Sequence, residues 1–133
     1  MTADAEQNTG PVWADQDDPR ITNVGRVLRR FRLDELPQFI NVIRGEMSII
    51  GPRPERPFFV EKLTKEFPFY HRRLSVRPGI SGWAQIKNPY DRHIEDVRQK
   101  LKYDFYYIEN LSLNLDLKIM ISTAWVMLSG QGR

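Results

Sequence analysis

The stretch "RLDELPQFINVIRGEMSIIGPRPERP", Arg32 to Pro57, decides how this chain is built. It places two adjacent carboxylates, Asp34 and Glu35, among several arginines and just ahead of Pro37. Proline lacks a backbone N–H and is best tolerated in a helix's first turn, so the spacing predicts a helix beginning near Leu33 or Asp34. Leu36, Phe39, Ile40 and Ile43 would form its buried stripe, and Gly45 is a natural stop. Next, "MSII" reads as a short strand ending at "GPRPERP", where Pro52, Pro54 and Pro57 keep the backbone stiff and extended. Both carboxylates then sit at a helix N-terminus, where the macrodipole favours negative charge. As helix neighbours they point about 100° apart, so they cannot both do the same job at one atom.

Upstream, Val24, Val27, Leu28 and Phe31 recur at helical spacing, with Arg26, Arg29 and Arg30 on the other side and Thr22 or Asn23 as cap. Residues 1–20 read as an N-terminal arm or loop, broken by Gly10, Pro11 and Pro19, with Trp13 expected to pack. Downstream, a helix is expected around Phe58–Lys65 and a turn at Pro68. "VRPGISGWAQI" reads as a turn at Pro78-Gly79 leading into a short strand. A long helix from Asp91 to about Ile108 would bury Ile94, Val97, Leu101, Phe105 and Ile108. "NLS" breaks it, and a last helix runs from Leu113 to about Leu128. The fold class is α+β, mostly α-helical with a few short strands.

The totals suit one domain: 133 residues, 41% hydrophobic and 28% charged, an ordinary globular balance. A net charge of +3 is compatible with an anionic ligand or membrane surface without demanding nucleic acid. With no cysteine there is no thiolate site, and two isolated histidines make a histidine-rich zinc site a poor expectation. "MTADAEQNTG" is acidic and polar, unlike a signal peptide. The apolar run near the end is interrupted by Asp116 and Lys118, and reads as a buried or interfacial helix rather than a span.

Taken alone, an acidic pair in a helix's first turn reads as capping sooner than catalysis. The arginines change the weighing. Arg29, Arg30 and Arg32 precede the pair, and Arg53 stands in a rigid Gly-Pro-Arg-Pro turn, its planar fork of donors suited to phosphate. A carboxylate attacks phosphorus once arginines or Mg²⁺ neutralise the phosphate charge, and Mg²⁺ is usually held by one or two carboxylates plus phosphates. Arg77 and Gln85 are further candidate ligand contacts, with Gly79 and Gly82 allowing close backbone approach. A structural turn anchored by Trp83 is an equal reading. Tyr103, Asp104, Tyr106, Tyr107 and Asn110 read as packing, and Arg72 and Arg73 as a solvated basic patch facing phospholipid head groups.

In this order the Leu-Asp-Glu-Leu-Pro-Gln, Gly-Pro-Arg-Pro and Arg-Pro-Gly-Ile-x-Gly-Trp-Ala-Gln blocks, with the closing "YDFYYIENLSLNLDLKIMI", resemble the bacterial sugar transferase family. These are monotopic polyprenyl-phosphate phosphoglycosyl transferases, and the likeness covers Gly10 to about Ile121. The resemblance implies transfer of a sugar-1-phosphate from a UDP-sugar to undecaprenyl phosphate, releasing UMP, at the start of exopolysaccharide, capsule or O-antigen assembly. It implies Asp34 as the nucleophile forming a covalent phospho-sugar, Glu35 as the Mg²⁺-holding acid, and Arg53 as a phosphate contact. Arg30, Arg77 and Gln85 are carried as substrate contacts. It also implies a membrane segment upstream of this region, so residues 21–133 are expected to be a truncated catalytic domain. That fragment is expected to be soluble, from an enzyme at the cytoplasmic face of the bacterial inner membrane, with its activity without the segment open. The apolar last helix is expected to meet membrane, the missing part or a second copy in a homo-oligomer. The "GPVWADQDDPRIT" style resembles exopolysaccharide members using UDP-glucose or UDP-galactose, with N-acetylated donors left open. Two rivals stand beside this: a lipid-binding module without catalysis, and a nucleic-acid binder built on "GRVLRRFR", a weak footprint for one short helix.

Overall fold

The computed structural model describes residues 21–88 and 94–129. The arm expected over residues 1–20, with Trp13, and the expected helix start at Asp91 lie outside the described residues. The elements run α1 (Asn23–Arg30), a 3-10 turn (Leu33–Glu35), α2 (Gln38–Ile43), β1 (Ser48–Ile50), α3 (Pro57–Glu66), a 3-10 stretch (Tyr70–Ser75), β2 (Gly79–Ser81), α4 (Trp83–Lys87), α5 (Ile94–Glu109) and α6 (Leu113–Leu128). The structure is mostly helical, with one two-stranded parallel sheet.

The ends of the helices follow from local chemistry. Thr22 caps α1, its hydroxyl accepting from the Gly25 N–H at 3.1 Å. α2 ends in a Schellman motif: Gly45, at φ +77°, donates to Val42 O at 3.0 Å while Glu46 donates to Asn41 O at 2.9 Å. Ser112 caps α6 through its hydroxyl, 3.3 Å from the Leu115 N–H. The start of α2 departs from expectation. The dyad lies not in the first turn of an α-helix but in the 3-10 turn before it, and α2 begins only at Gln38. Pro37 explains this, because it has no N–H to give Leu33 and the α-helical ladder cannot run back through it.

The sheet pairs Ser48 with Gly79 and Ile50 with Ser81. It thereby joins the two motif-bearing loops, Gly51–Pro54 and Arg77–Gly82. Where they cross, the chains are too close for side chains. A Cβ on Gly51 would stand 2.6 Å from the Arg77 carbonyl, and one on Gly79 or Gly82 would meet the Gly51 backbone.

The core has two clusters. Phe59, Leu63, Tyr70, Val97 and Leu101 pack α3 and the second 3-10 stretch on α5, while Ile50, Tyr107 and Ile119 pack β1, α5 and α6. α5 belongs to both. The stripe expected to be buried on α2 is not. Leu36, Phe39, Ile40 and Ile43 are exposed, Ile43 at 86%, and so are Val24, Val27, Leu28 and Phe31. Periodicity identifies an apolar face but not what covers it. α6 likewise buries Ile119 fully while Leu113, Leu117, Ile121, Trp125 and Leu128 stay exposed. Among the described residues no helix is long and apolar enough to cross a membrane.

Candidate active site

The dyad is asymmetric. Glu35 is buried, and its Oε1 accepts from Arg53 Nη1 at 2.7 Å with Arg32 Nη1 at 3.5 Å. Asp34 is exposed and makes no hydrogen bond or ion pair with a described residue. In a 3-10 turn consecutive side chains diverge by about 120°, so burying one neighbour presents the other to solvent.

Three backbone features aim these groups. Arg32 adopts the left-handed conformation, φ 53°, the only described non-glycine residue to do so. It reverses the chain after α1, which sets its guanidinium over Glu35 three residues on. Such a conformation costs an ordinary residue about 1 kcal/mol or more. Second, Pro52 and Pro54 bracket Arg53 and limit its backbone. Third, β2 holds this loop from one side, through Gly51 N–H to Ser81 O and Gly79 N–H to Pro52 O, both 2.9 Å.

The other expected contacts are placed differently. Arg77 is exposed, and its backbone rather than its side chain abuts Gly51. Gln85 donates from Nε2 to Ile80 O at 3.4 Å, while its buried Oε1 has no partner. Arg30 is exposed, with its guanidinium 5.9 Å from the Phe31 ring centroid. The structure thus brings together Glu35, Arg53 and Arg32, with Asp34 alongside. Arg32 also has a buried Nε without a partner, as does the Oε1 of Gln38.

Arg73 overturns the expected basic patch. Arg72 is exposed and pairs with Glu109 at 3.2 Å, but Arg73 is buried. Its Nε and Nη2 meet Asp104 Oδ2 at 3.0 and 2.9 Å, Nη1 donates to the Tyr70 hydroxyl at 2.7 Å, and Nη2 donates to the Arg53 carbonyl at 2.7 Å. Burial alone works against the Arg73 charge, yet Asp104 and Tyr70 outweigh it and hold the group's pKa above its usual value. Burial pushes the Tyr70 phenol up against the opposing pull of Arg73. Beside this cluster Lys100 donates to Glu55 Oε1 at 2.8 Å, also largely buried. Asp104 was read as packing, and it is buried, but the sequence reading missed its partner Arg73 and the Lys100–Glu55 pair. The helical period applied to polar positions, Lys100, Asp104 and Tyr107, would have flagged a second buried face of α5.

An exposed carboxylate beside a second one held by guanidiniums is a donor and acceptor set suited to a phosphate-bearing ligand. The chain belongs to the bacterial sugar transferase family, whose model matches residues 1–130. It is 50% identical over 132 residues to a UDP-N-acetylgalactosamine-undecaprenyl-phosphate N-acetylgalactosaminephosphotransferase of Aeromonas hydrophila, covering 99% of this chain and 31% of that protein. It is 44% identical over 115 residues to a UDP-glucose:undecaprenyl-phosphate glucose-1-phosphate transferase of Escherichia coli, covering 84% and 25%. A galactosyl transferase of Streptococcus agalactiae is 41% identical over 126 residues, covering 95% and 27%. The chain therefore spans about a quarter to a third of the length of these curated relatives.

Proposed function

We propose that the protein carrying this chain transfers a sugar-1-phosphate from a UDP-sugar to undecaprenyl phosphate through a covalent aspartyl intermediate. The observation that carries this reading is the split dyad: Asp34 exposed and uncommitted, Glu35 buried against Arg53. An Asp34 carboxylate oxygen attacks the sugar-bearing phosphorus of the diphosphate, and the bond from that phosphorus to the bridging oxygen breaks. UMP leaves with that oxygen and its electron pair. A phosphate oxygen of the polyprenol then attacks the same phosphorus, breaking its bond to Asp34 and restoring the carboxylate. Arg53 and Arg32, both against Glu35, are the charges that would neutralise a diphosphate, and the Arg53 side chain is 37% exposed.

Magnesium fits the donor set. Glu35 commits Oε1 to the guanidiniums, so Oε2, with or without Asp34, offers the hard oxygen that Mg²⁺ prefers. No three of the described His, Asp or Glu side chains group into a cage, which suits an ion shared with phosphate oxygens. When bound, the ion supplies charge neutralisation on the diphosphate. The exposed apolar side chains of α1, α2 and α6 support docking on a membrane surface, where a lipid-linked acceptor lies. The named relatives differ in sugar between N-acetylgalactosamine, glucose and galactose, so the donor must be read by experiment.

Intact-mass spectrometry of the longer membrane-bound protein with Mg²⁺ and a panel of UDP-sugars tests the reading. A sugar-phosphate adduct on the native protein, absent in Asp34→Asn, is expected and names the donor. No adduct and no UMP release with any donor overturns it.

A further inference from the structure

Resting on that reading of Arg53, we infer that Arg73, buried against α5, is a positioning residue for the reaction: it holds the Gly51–Glu55 loop so that Arg53 meets Glu35. The polar row on α5, at 100, 104 and 107, follows i, i+4, i+7 spacing and so lies on one helical face. Each member reaches the loop or what grips it. At the loop's centre, Asp104 binds Arg73, and Arg73 donates at 2.7 Å to the carbonyl of Arg53, the residue whose side chain contacts Glu35. At its far end, Lys100 takes the Glu55 carboxylate at 2.8 Å. At its near end, Tyr107 packs against Ile50 and donates its hydroxyl proton to Asp116 at 2.9 Å.

Stability is a poor reason for this arrangement. A buried ion pair seldom outperforms apolar residues of the same volume, because desolvating both charges offsets their attraction. What the pair offers instead is direction. Arg73 spends Nε, Nη1 and Nη2 on three fixed acceptors from three elements, α5, the 3-10 stretch and the loop. A guanidinium so held fixes the Arg53 carbonyl to within a hydrogen bond, and Pro52 and Pro54 leave that backbone few other conformations. The loop is also tied to β2, through Gly51 and Pro52. Arg53 therefore approaches Glu35 from a backbone held by β2 and by Arg73, and Arg73 acts through Arg53 without touching substrate.

The test uses the full-length membrane-bound enzyme. Single removal of either charge leaves the other buried and unpaired, so R73M or D104N alone is expected to destabilise the fold. The apolar pair R73M/D104L removes both. It is expected to bring the melting temperature back to within a few degrees of native while UMP release from UDP-sugar stays about ten- to a hundredfold down. R73K keeps a charge for Asp104 but cannot also span to Arg53 O. It should fold and lose about tenfold in kcat with less change in KM. Because Arg73 acts through Arg53, either change should add little to R53A. Native-like kcat in R73K, or in a stably folded R73M/D104L, overturns the inference, as does a full additive loss on top of R53A. Full activity in R53A itself would instead sink the reading of the site, a separate outcome.

Discussion

Two acid–arginine pairs in this molecule share chemistry and differ in closure. Arg73 and Asp104 are sealed, their side chains 3% and 2% exposed, whereas the Arg53 side chain is 37% exposed over a Glu35 at 10%. In the sealed pair nearly every donor is spent on protein, so it can only hold. In the open pair one carboxylate oxygen is engaged and one guanidinium edge faces solvent, so a ligand can enter the same network. The difference teaches that charge pairing alone does not mark a site; partial closure beside an uncommitted carboxylate does.

The largest effect expected is at that uncommitted carboxylate. Asp34→Asn keeps the shape of an exposed side chain with no partner among the described residues, so stability should hold while turnover falls by on the order of 10³-fold or more. A thermal melt and a UMP-release assay separate the two; equal turnover would erase the contrast between Asp34 and Glu35. At the open pair, Arg53→Ala leaves Glu35 with only the longer Arg32 contact at 3.5 Å. Turnover should fall about 10²- to 10³-fold, the usual cost of deleting one charge-stabilising donor. The magnesium needed for half-maximal rate should fall too, because the Arg53 charge no longer repels a cation at the other oxygen of Glu35. A magnesium titration at fixed UDP-sugar checks the direction.

A second contrast runs between the segment Ile21–Ile43 and the rest. Leu63 is buried among Phe59, Tyr70, Val97 and Leu101, so Leu63→Ala should cost about 2–5 kcal/mol. Ile43, with the same hydrophobicity at a helical position, should cost within about 0.5 kcal/mol as Ile43→Ala. Denaturant melts of both variants would measure this, and similar losses would mean that α2 is covered.

Much of this was legible beforehand for a physical reason. Helices with caps and breakers at both ends, such as α6 between Ser112 and Leu128, declare themselves locally, and α3 was expected within a residue or so of its ends. The dyad and the proline-bracketed Arg53 were legible because their residue types are poorly suited to anything bland at that density. What stayed hidden was tertiary. That Ile50 pairs with Ser81 depends on a crossover through α3, and Arg73 looks like any surface arginine until Asp104 is brought to it from 31 positions away in the chain. The α2 start was misread because Pro37 was taken for part of a first turn, whereas without an N–H to give Leu33 it interrupts the ladder there. The α2 stripe was misread as buried because period reports an apolar face and never its neighbour.

Arg32 sharpens the comparison further, since its backbone and its side chain serve the open pair separately. Arg32→Gly removes the guanidinium but suits the left-handed backbone; Arg32→Ala removes the guanidinium and keeps the strain. Both should slow UMP release alike. Arg32→Ala alone should lower the melting temperature, by about 4 °C for each 1 kcal/mol in a domain of this size. Equal melting temperatures would mean that the left-handed turn carries no strain.

The smallest effect expected belongs to the α5 face, at high pH. Burial, then the hydrogen bond to Asp116, pushes the Tyr107 phenol well above its ordinary value of 10.0. The sign follows from proton linkage: above pH 10 the unfolded chain ionises this phenol while the folded chain retains its proton. The stability Tyr107 contributes is therefore complete below pH 10 and drains as pH rises toward the folded pKa. Tyr107→Phe loses the 2.9 Å bond to Asp116, worth about 1 kcal/mol near neutrality, but it has no phenol to ionise. Urea melts between pH 8 and pH 11 should thus show the native protein losing stability more steeply than the variant above pH 10, so that the gap between them closes. Tyr70, also raised by burial, remains in both proteins and cancels in the difference. A gap that stays constant with pH would place the Tyr107 hydroxyl in solvent, without its bond to Asp116.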